Sequence, residues 1–295
     1  MARRTLAVLT AWFIVACAPA APRRSSVFTS DRISVTTSGA GPDVVLIPGL
    51  ASSPQDVWGG TVAAVPGYRY HLVQVAGFAG LPSGANGSSG PVVQPVADEI
   101  VRYMKERGLR RPAMVGLSMG GSLAMLIAAR HPDALSKLMV VDMVPSMGVF
   151  FGPPGVTTEG LRPVAERVQS EMSASPDAWR RSVEHSVSTM IRTESERARA
   201  VSAGLASDRA VAGRAMYDLI LQDLRGEMSG VTVPVTVLYV HGPHVPISVD
   251  ATDAVYREAF ANTPKVTLKR IPNAYHFIML DEPQRFAEEL RIFLR

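Results

Sequence analysis

The stretch Pro112-Ala113-Met114-Val115-Gly116-Leu117-Ser118-Met119-Gly120-Gly121-Ser122-Leu123-Ala124-Met125-Leu126-Ile127-Ala128-Ala129 decides how this chain is read. Ala113 to Val115 is a short strand signal. Leu123, Leu126, Ile127 and Arg130 then recur at helical spacing until Pro132 closes the run. Between them lies Gly116-Leu117-Ser118-Met119-Gly120, a Gly-x-Ser-x-Gly sequence that must turn sharply from strand to helix around its serine. The small neighbours let that strained turn pack, which lifts the Ser118 hydroxyl above the sheet edge. The helix that follows directs its first N–H groups and positive dipole end to the same point. An oxyanion developing beside Ser118 is therefore in reach of the Met119 N–H.

Outward from this turn, strand and helix signals alternate. Val44 to Ile47 is a continuous apolar run stopped by Pro48-Gly49, and Tyr70 to Val75, Leu138 to Val141, Val233 to Val240 and Val266 to Ile271 read as further strands. Val93, Val96, Ile100 and Met104 mark one helix and Val255 to Phe260 another. Asp281 and Pro283 start a last one whose core face is Phe286, Leu290, Phe293 and Leu294. The alternation predicts an α/β fold, a mostly parallel twisted sheet with helices on both faces. Between Met147 and Gly230 the strand signal vanishes. Three helical stripes replace it, carried by Leu161, Val164, Val168 and Met172, by Trp179, Val183, Val187 and Met190, and by Tyr217, Ile220, Leu221 and Leu224. The expected organisation is a core of residues 31–146 and 231–295 with a helical cap, 147–230, inserted over the sheet. Gly77 to Gly90 holds five glycines in fourteen residues and reads as a surface loop. No Gly-Lys-Ser/Thr follows it, so it is not a nucleotide cradle.

The first residues form an address. In Met1-Ala2-Arg3-Arg4-Thr5-Leu6 and onward, two arginines precede an apolar run, Leu6 to Val15, that is too short for the roughly 20 residues of a membrane span. The run ends Ile14-Val15-Ala16-Cys17, and Cys17 is the only cysteine of the 295 residues. This resembles a bacterial lipoprotein signal, with residues 1–16 removed and Cys17 the lipid-modified first residue of a tether, 17–30. The alternative is an ordinary signal peptide cut after Ala20. Either way the mature chain is expected outside the cytoplasm, and in the lipoprotein reading on a membrane, periplasmic or cell-surface side. Acylation of Cys17 would leave no thiol, so the fold relies on no disulfide there. The chain is 47% apolar and 19% charged, which excludes disorder. Its 30 basic and 26 acidic residues give +4, and removal of Arg3 and Arg4 halves that excess; no nucleic-acid partner is expected.

From Arg32 to Arg295 the chain resembles the α/β-hydrolase superfamily, of the lipase and esterase type, on Gly116-Leu117-Ser118-Met119-Gly120 in its strand-to-helix setting. Pro48-Gly49-Leu50, closing an early strand and followed by Trp58, looks like that family's oxyanion loop, with Pro48 where His is more usual. The resemblance implies Leu50 N–H as a second oxyanion donor beside Met119. It also implies His276, in Asn273-Ala274-Tyr275-His276-Phe277, as the catalytic base. Independently, a serine needs a base of near-neutral pKa, and histidine is the natural one. His71, His131 and His185 sit on a strand, at a helix end and in the cap segment. The His241-x-x-His244 pair has too few companions for a metal site. The acid is where the chain departs from the family. The loop Val240-His241-Gly242-Pro243-His244-Val245-Pro246-Ile247 carries no carboxylate where the family most often has Asp, and Val245 stands there. Asp142, ending the preceding strand, is the first candidate and Asp250 its rival; Asp281 reads as a cap of the last helix.

The leading expectation is a cofactor-free serine hydrolase of carboxylic esters, thioesters or lactones, with Ser118, His276 and Asp142 catalytic and no metal. Its partners would be a small ester or acyl substrate and, through the anchor, a membrane. Met143, Met147, Phe150 and Phe151 are expected at the entrance of an apolar acyl pocket. Two other readings stay open: a lipid-anchored binding protein with a degenerate site, and a cofactor-free haloperoxidase or carbon–carbon bond hydrolase.

Overall fold

The computed structural model describes residues 28–152, 155–243 and 247–295. The leader, Cys17, most of the tether, and the loop residues His244 and Val245 lie outside the described residues.

Among the described residues seven strands form one sheet in the order β1-β3-β2-β4-β5-β6-β7. They are β1 (Ile33–Gly39), β2 (Asp43–Ile47), β3 (Arg69–Val75), β4 (Ala113–Leu117), β5 (Lys137–Val141), β6 (Val235–Tyr239) and β7 (Val266–Arg270). Only β1, at the edge, is antiparallel to its neighbour; all other pairs are parallel. Parallel pairing requires crossovers, and the helices that make them cover both faces. The strands read as unbroken apolar runs because alternate residues serve opposite cores. Val45, Ile47, Met114, Leu138 and Val140 face helices α2 (Val93–Glu106) and α3 (Met119–Arg130). Val44, Leu46, Val115, Leu117, Met139 and Val141 face α1 (Pro54–Ala64) and the terminal helix, whose Phe286 meets Trp58.

Between β5 and β6 the chain forms α4 (Thr158–Ser173), α5 (Pro176–Met190), α6 (Glu194–Leu205) and α7 (Arg209–Leu221). After β6 come α8 (Val249–Ala259), a short α9 (Ile278–Asp281) and α10 (Pro283–Leu294). The α4–α7 segment does not float on the sheet. Met172, Trp179, Val183, Val211 and Ala215 belong to the same buried cluster as Ile47 and Leu123. Polar ties add to this: Gly80 N–H donates to Ala206 O, Asp208 N–H to Gly77 O, and the Ser83 hydroxyl to Asp208 Oδ2.

Four expectations are corrected here. The Gly77–Gly90 stretch is not simply a surface loop: Phe78 and Asn86 are buried in it, and it carries the polar ties to α6 and α7 just described. The last tether residues are docked: Phe28 meets Tyr103 edge-on at 4.9 Å, and Ser30 Oγ accepts from Arg32 and Ile33 N–H. A fourth helix, α6, joins the three read from stripes. It was hidden because its buried residues are Ala203 and Gly204, small enough for close packing and too small to make an apolar stripe. A Cβ at Gly204 would lie 2.6 Å from Val183. Finally, Asp281 does not cap α10, whose preceding residue Glu282 makes no side-chain cap bond either. Among the described residues no helix is long and apolar enough to cross a membrane.

Candidate active site

Ser118 stands between β4 and α3 with φ 53° and ψ −121°, a conformation that L-residues avoid. Two glycines make the turn possible. A Cβ on Gly116 would come within 2.1 Å of Gly120 O, and one on Gly120 within 2.2 Å of Ile47 O and 2.7 Å of Pro48 O. The start of α3 is thus pressed against the end of β2, which carries the Pro48-Gly49-Leu50 loop up to the serine. A Cβ on Gly49 would lie 3.4 Å from Ser118 Cβ. Within that loop Ala51 has φ 53°, and the Ser52 hydroxyl donates to Leu50 O at 3.1 Å. Strain clustered at one sheet edge points to a functional constraint, since each such residue costs about 1–3 kcal/mol.

Asp142 follows β5 directly, also at positive φ (49°), and its N–H donates to Leu238 O at 2.7 Å. Its neighbour strand β4 ends in the serine, whose own N–H donates to Val141 O. Both residues therefore leave the sheet from the carboxyl ends of adjacent parallel strands, where α/β folds gather their ligand and catalytic groups. His276 comes from the loop after β7 and is buried; its Nδ1 lies 2.6 Å from Asp142 Oδ2. A carboxylate only accepts, so Nδ1 donates to it, which in the neutral imidazole leaves Nε2 as the acceptor. Asp142 Oδ1 receives two further donors, Val240 N–H at 3.1 Å and the Tyr256 hydroxyl at 2.9 Å. Asp250, the rival acid, is exposed in the first turn of α8 behind the N-cap Ser248.

The loop bearing His276 is held by a residue with a different expected role. The Asp281 carboxylate accepts from Tyr275 N–H at 2.8 Å and, across the gap, from Arg192 N–H at 3.1 Å and Thr193 N–H at 2.8 Å. Phe277 N–H donates to Met190 O and Arg192 Nη1 to Asn273 O. The α5–α6 corner and the histidine loop are thus bonded as one piece. No local sequence signal could have found this, because the partners are more than eighty residues apart.

Ser118, Leu50 and His276 line a cavity of about 460 Å³, closed on the other side by Val168, Met172, Trp179, Val187 and Met216. The expected entrance residues are elsewhere. Met143 is buried in the core beneath α3, and Phe150 is exposed. The reason is the path of the chain after Asp142, which runs to a bridge between Ser146 and Asp223 instead of over the serine. Apolar lining comes from α4, α5 and α7.

Two other histidines are engaged apart from this cavity. His71 is buried between Asp43 Oδ1 (2.8 Å) and the Tyr103 hydroxyl (2.7 Å), and burial holds its imidazole below the ordinary value. His241 Nδ1 lies 3.0 Å from Thr252 Oγ1. Among the described residues no group of three or more His, Cys, Asp or Glu side chains is placed to hold a metal ion.

Comparison with known proteins gives consistent matches. Residues 44–289 match the model of an alpha/beta hydrolase family. The chain is 25% identical over 264 residues to a pimeloyl-(acyl-carrier protein) methyl ester esterase of Aeromonas hydrophila, spanning 89% of this chain and 99% of that one. Among solved structures, a thermophilic esterase from Thermogutta terrifontis superposes with a TM-score of 0.70 at 20% identity, covering 89% of this chain and 93% of its own. An enol-lactonase from Burkholderia xenovorans superposes with a TM-score of 0.63 at 20% identity, covering 89% and 96%. At such identity the structural likeness speaks for the fold.

Proposed function

The chain belongs to the alpha/beta hydrolase family, and from that premise we propose that it is a serine hydrolase of carboxylic esters with an apolar acyl group, working through an acyl-enzyme. The observation that carries this is the 2.6 Å contact of His276 Nδ1 with Asp142 Oδ2, beside a cavity that Ser118 and His276 both line. Esterase relatives support the reaction class.

In this mechanism the substrate carbonyl lies beside Ser118 with its acyl chain in the cavity. Ser118 Oγ attacks the carbonyl carbon as His276 Nε2 takes the hydroxyl proton, and the imidazolium is stabilised by Asp142. The tetrahedral oxyanion accepts from the Met119 N–H at the start of α3 and from the Leu50 N–H. Collapse expels the alcohol, which takes the proton from His276. Water then repeats the sequence on the acyl-enzyme and frees the acid. The segment 147–230 serves as a cap that supplies the acyl pocket and keeps water from it.

A fluorophosphonate probe and a series of p-nitrophenyl esters test this reading. The expected result is covalent labelling, with kcat/KM rising about threefold to fourfold per added CH₂ until the cavity is filled, the equivalent of about 0.8 kcal/mol per buried methylene. Failure to label together with failure to cleave any ester would overturn it.

On the sequence of the leader alone we further propose export and lipid anchoring at Cys17. Several acyl chains, each contributing about 0.8 kcal/mol per buried CH₂, would hold the protein on a bacterial membrane. Cys17→Ser, expressed in a bacterium with lipoprotein machinery, is expected to leave the membrane fraction and to lose fatty-acid label. A wild type that is already soluble, or carries no label, would show the anchor to be absent.

A further inference from the structure

We propose that Tyr256 is a positioning residue of the hydrolytic site, its hydroxyl fixing the carboxylate that orients His276. The proposal rests on the reading of Asp142 as the triad acid.

Tyr256 lies on α8, and its hydroxyl donates to Asp142 Oδ1 at 2.9 Å, while Asp142 Oδ2 faces His276 Nδ1 at 2.6 Å. One carboxylate oxygen is thus occupied from behind and the other is turned to the imidazole. A carboxylate can rotate about its Cβ–Cγ bond, and an acid that is to orient a base must be prevented from doing so. Val240 N–H supplies one restraint on Oδ1 and the Tyr256 hydroxyl the second. The phenol is itself held rigidly. Its ring stacks on Tyr239 at 4.1 Å between centroids and 20° between planes. The Tyr239 hydroxyl in turn donates to Asp253 Oδ1, which also accepts from Arg270 Nε. Burial first, and then the Asp142 charge, push the Tyr256 phenol well above its ordinary range, so it stays a donor at every working pH. The residue also answers a question of placement. Asp142 leaves the sheet one strand earlier than the family's usual acid, and α8, packed on that side, supplies a polar partner there.

The test compares Tyr256→Phe with Tyr239→Phe. The first removes only the hydroxyl facing Asp142; the second keeps the ring of the same stack and removes a hydroxyl that faces Asp253. Tyr256→Phe is expected to lower kcat about 10–100-fold on a p-nitrophenyl ester with KM changed less than about threefold, the pattern of an interaction that matters in the transition state. The downfield proton resonance of the His276 Nδ1–H should broaden or shift in this variant alone. Tyr239→Phe should keep kcat within about threefold. Site-specific 3-fluorotyrosine at 256, which keeps ring and hydroxyl and makes the phenol more acidic, should shift the same resonance while retaining activity, and it serves if the Phe variant does not fold. A Tyr256→Phe enzyme with wild-type kcat overturns the proposal and leaves the hydrolase reading standing. Equal losses in both Phe variants overturn it in favour of a purely structural stack. A wild type that neither labels nor turns over ends both.

Discussion

Ser118→Ala is expected to abolish fluorophosphonate labelling and to lower kcat by about 10⁴-fold or more, with the fold and melting temperature nearly unchanged. The magnitude follows from the covalent role. Without Oγ there is no acyl-enzyme, and what remains is the stabilisation of a water-derived oxyanion by Leu50 and Met119 N–H groups. Removing a single hydroxyl from a half-buried side chain leaves the turn as it is, because Gly116 and Gly120 carry the steric demands of that turn. Alanine occupies the same φ of 53° at similar strain. Activity, labelling and circular dichroism together separate loss of chemistry from loss of fold. Equal labelling of variant and wild type would remove Ser118 from the mechanism.

The sequence made the sheet legible wherever a strand is buried on both faces. Val44 to Ile47 and Leu138 to Val141 are unbroken apolar runs for that reason, and β2 and β5 appear where those runs stand. It concealed β1, an edge strand of Ser, Thr and Gly in which only Ile33 is fully buried. It concealed α1 as well, since Gly59 and Gly60 interrupt its pattern; the serine cap at Ser53 and Pro54 at the first helical position were the signals available. At the candidate site, Ser118 and Met119 follow from a local motif whose geometry is short-range. Asp142 and His276 meet across 134 residues, and the choice between Asp142 and Asp250 needed the register of β5 against β6, which no local pattern contains. Tyr256 left only a faint trace: Thr252, Tyr256 and Ala259 recur at helical spacing on the buried face of α8. A tyrosine on such a face must find a partner for its hydroxyl, but the face alone does not say which.

Asp142→Asn is expected to lower kcat by about 10³–10⁴-fold while the protein still folds and still admits the probe. The loss comes from what the amide does to the imidazole. Val240 N–H and the Tyr256 hydroxyl both donate to one oxygen of the side chain, so the asparagine carbonyl is drawn to that position and its NH₂ faces His276. An NH₂ donates, which obliges Nδ1 to accept and moves the neutral proton to Nε2. That nitrogen then points a proton at Ser118 where it should receive one, and the imidazolium formed during attack loses its counter-charge. Asp250→Asn, by contrast, alters an exposed carboxylate in the first turn of α8, where it adds at most a favourable interaction with the helix dipole, and should change kcat less than about twofold. The pair is read by steady-state kinetics on one p-nitrophenyl ester, with circular dichroism to establish folding. A crippled Asp250→Asn beside a mild Asp142→Asn would transfer the role of acid to α8. Two mild variants beside an inert Ser118→Ala would instead mean that His276 works without a carboxylate, as the base of a Ser-His dyad.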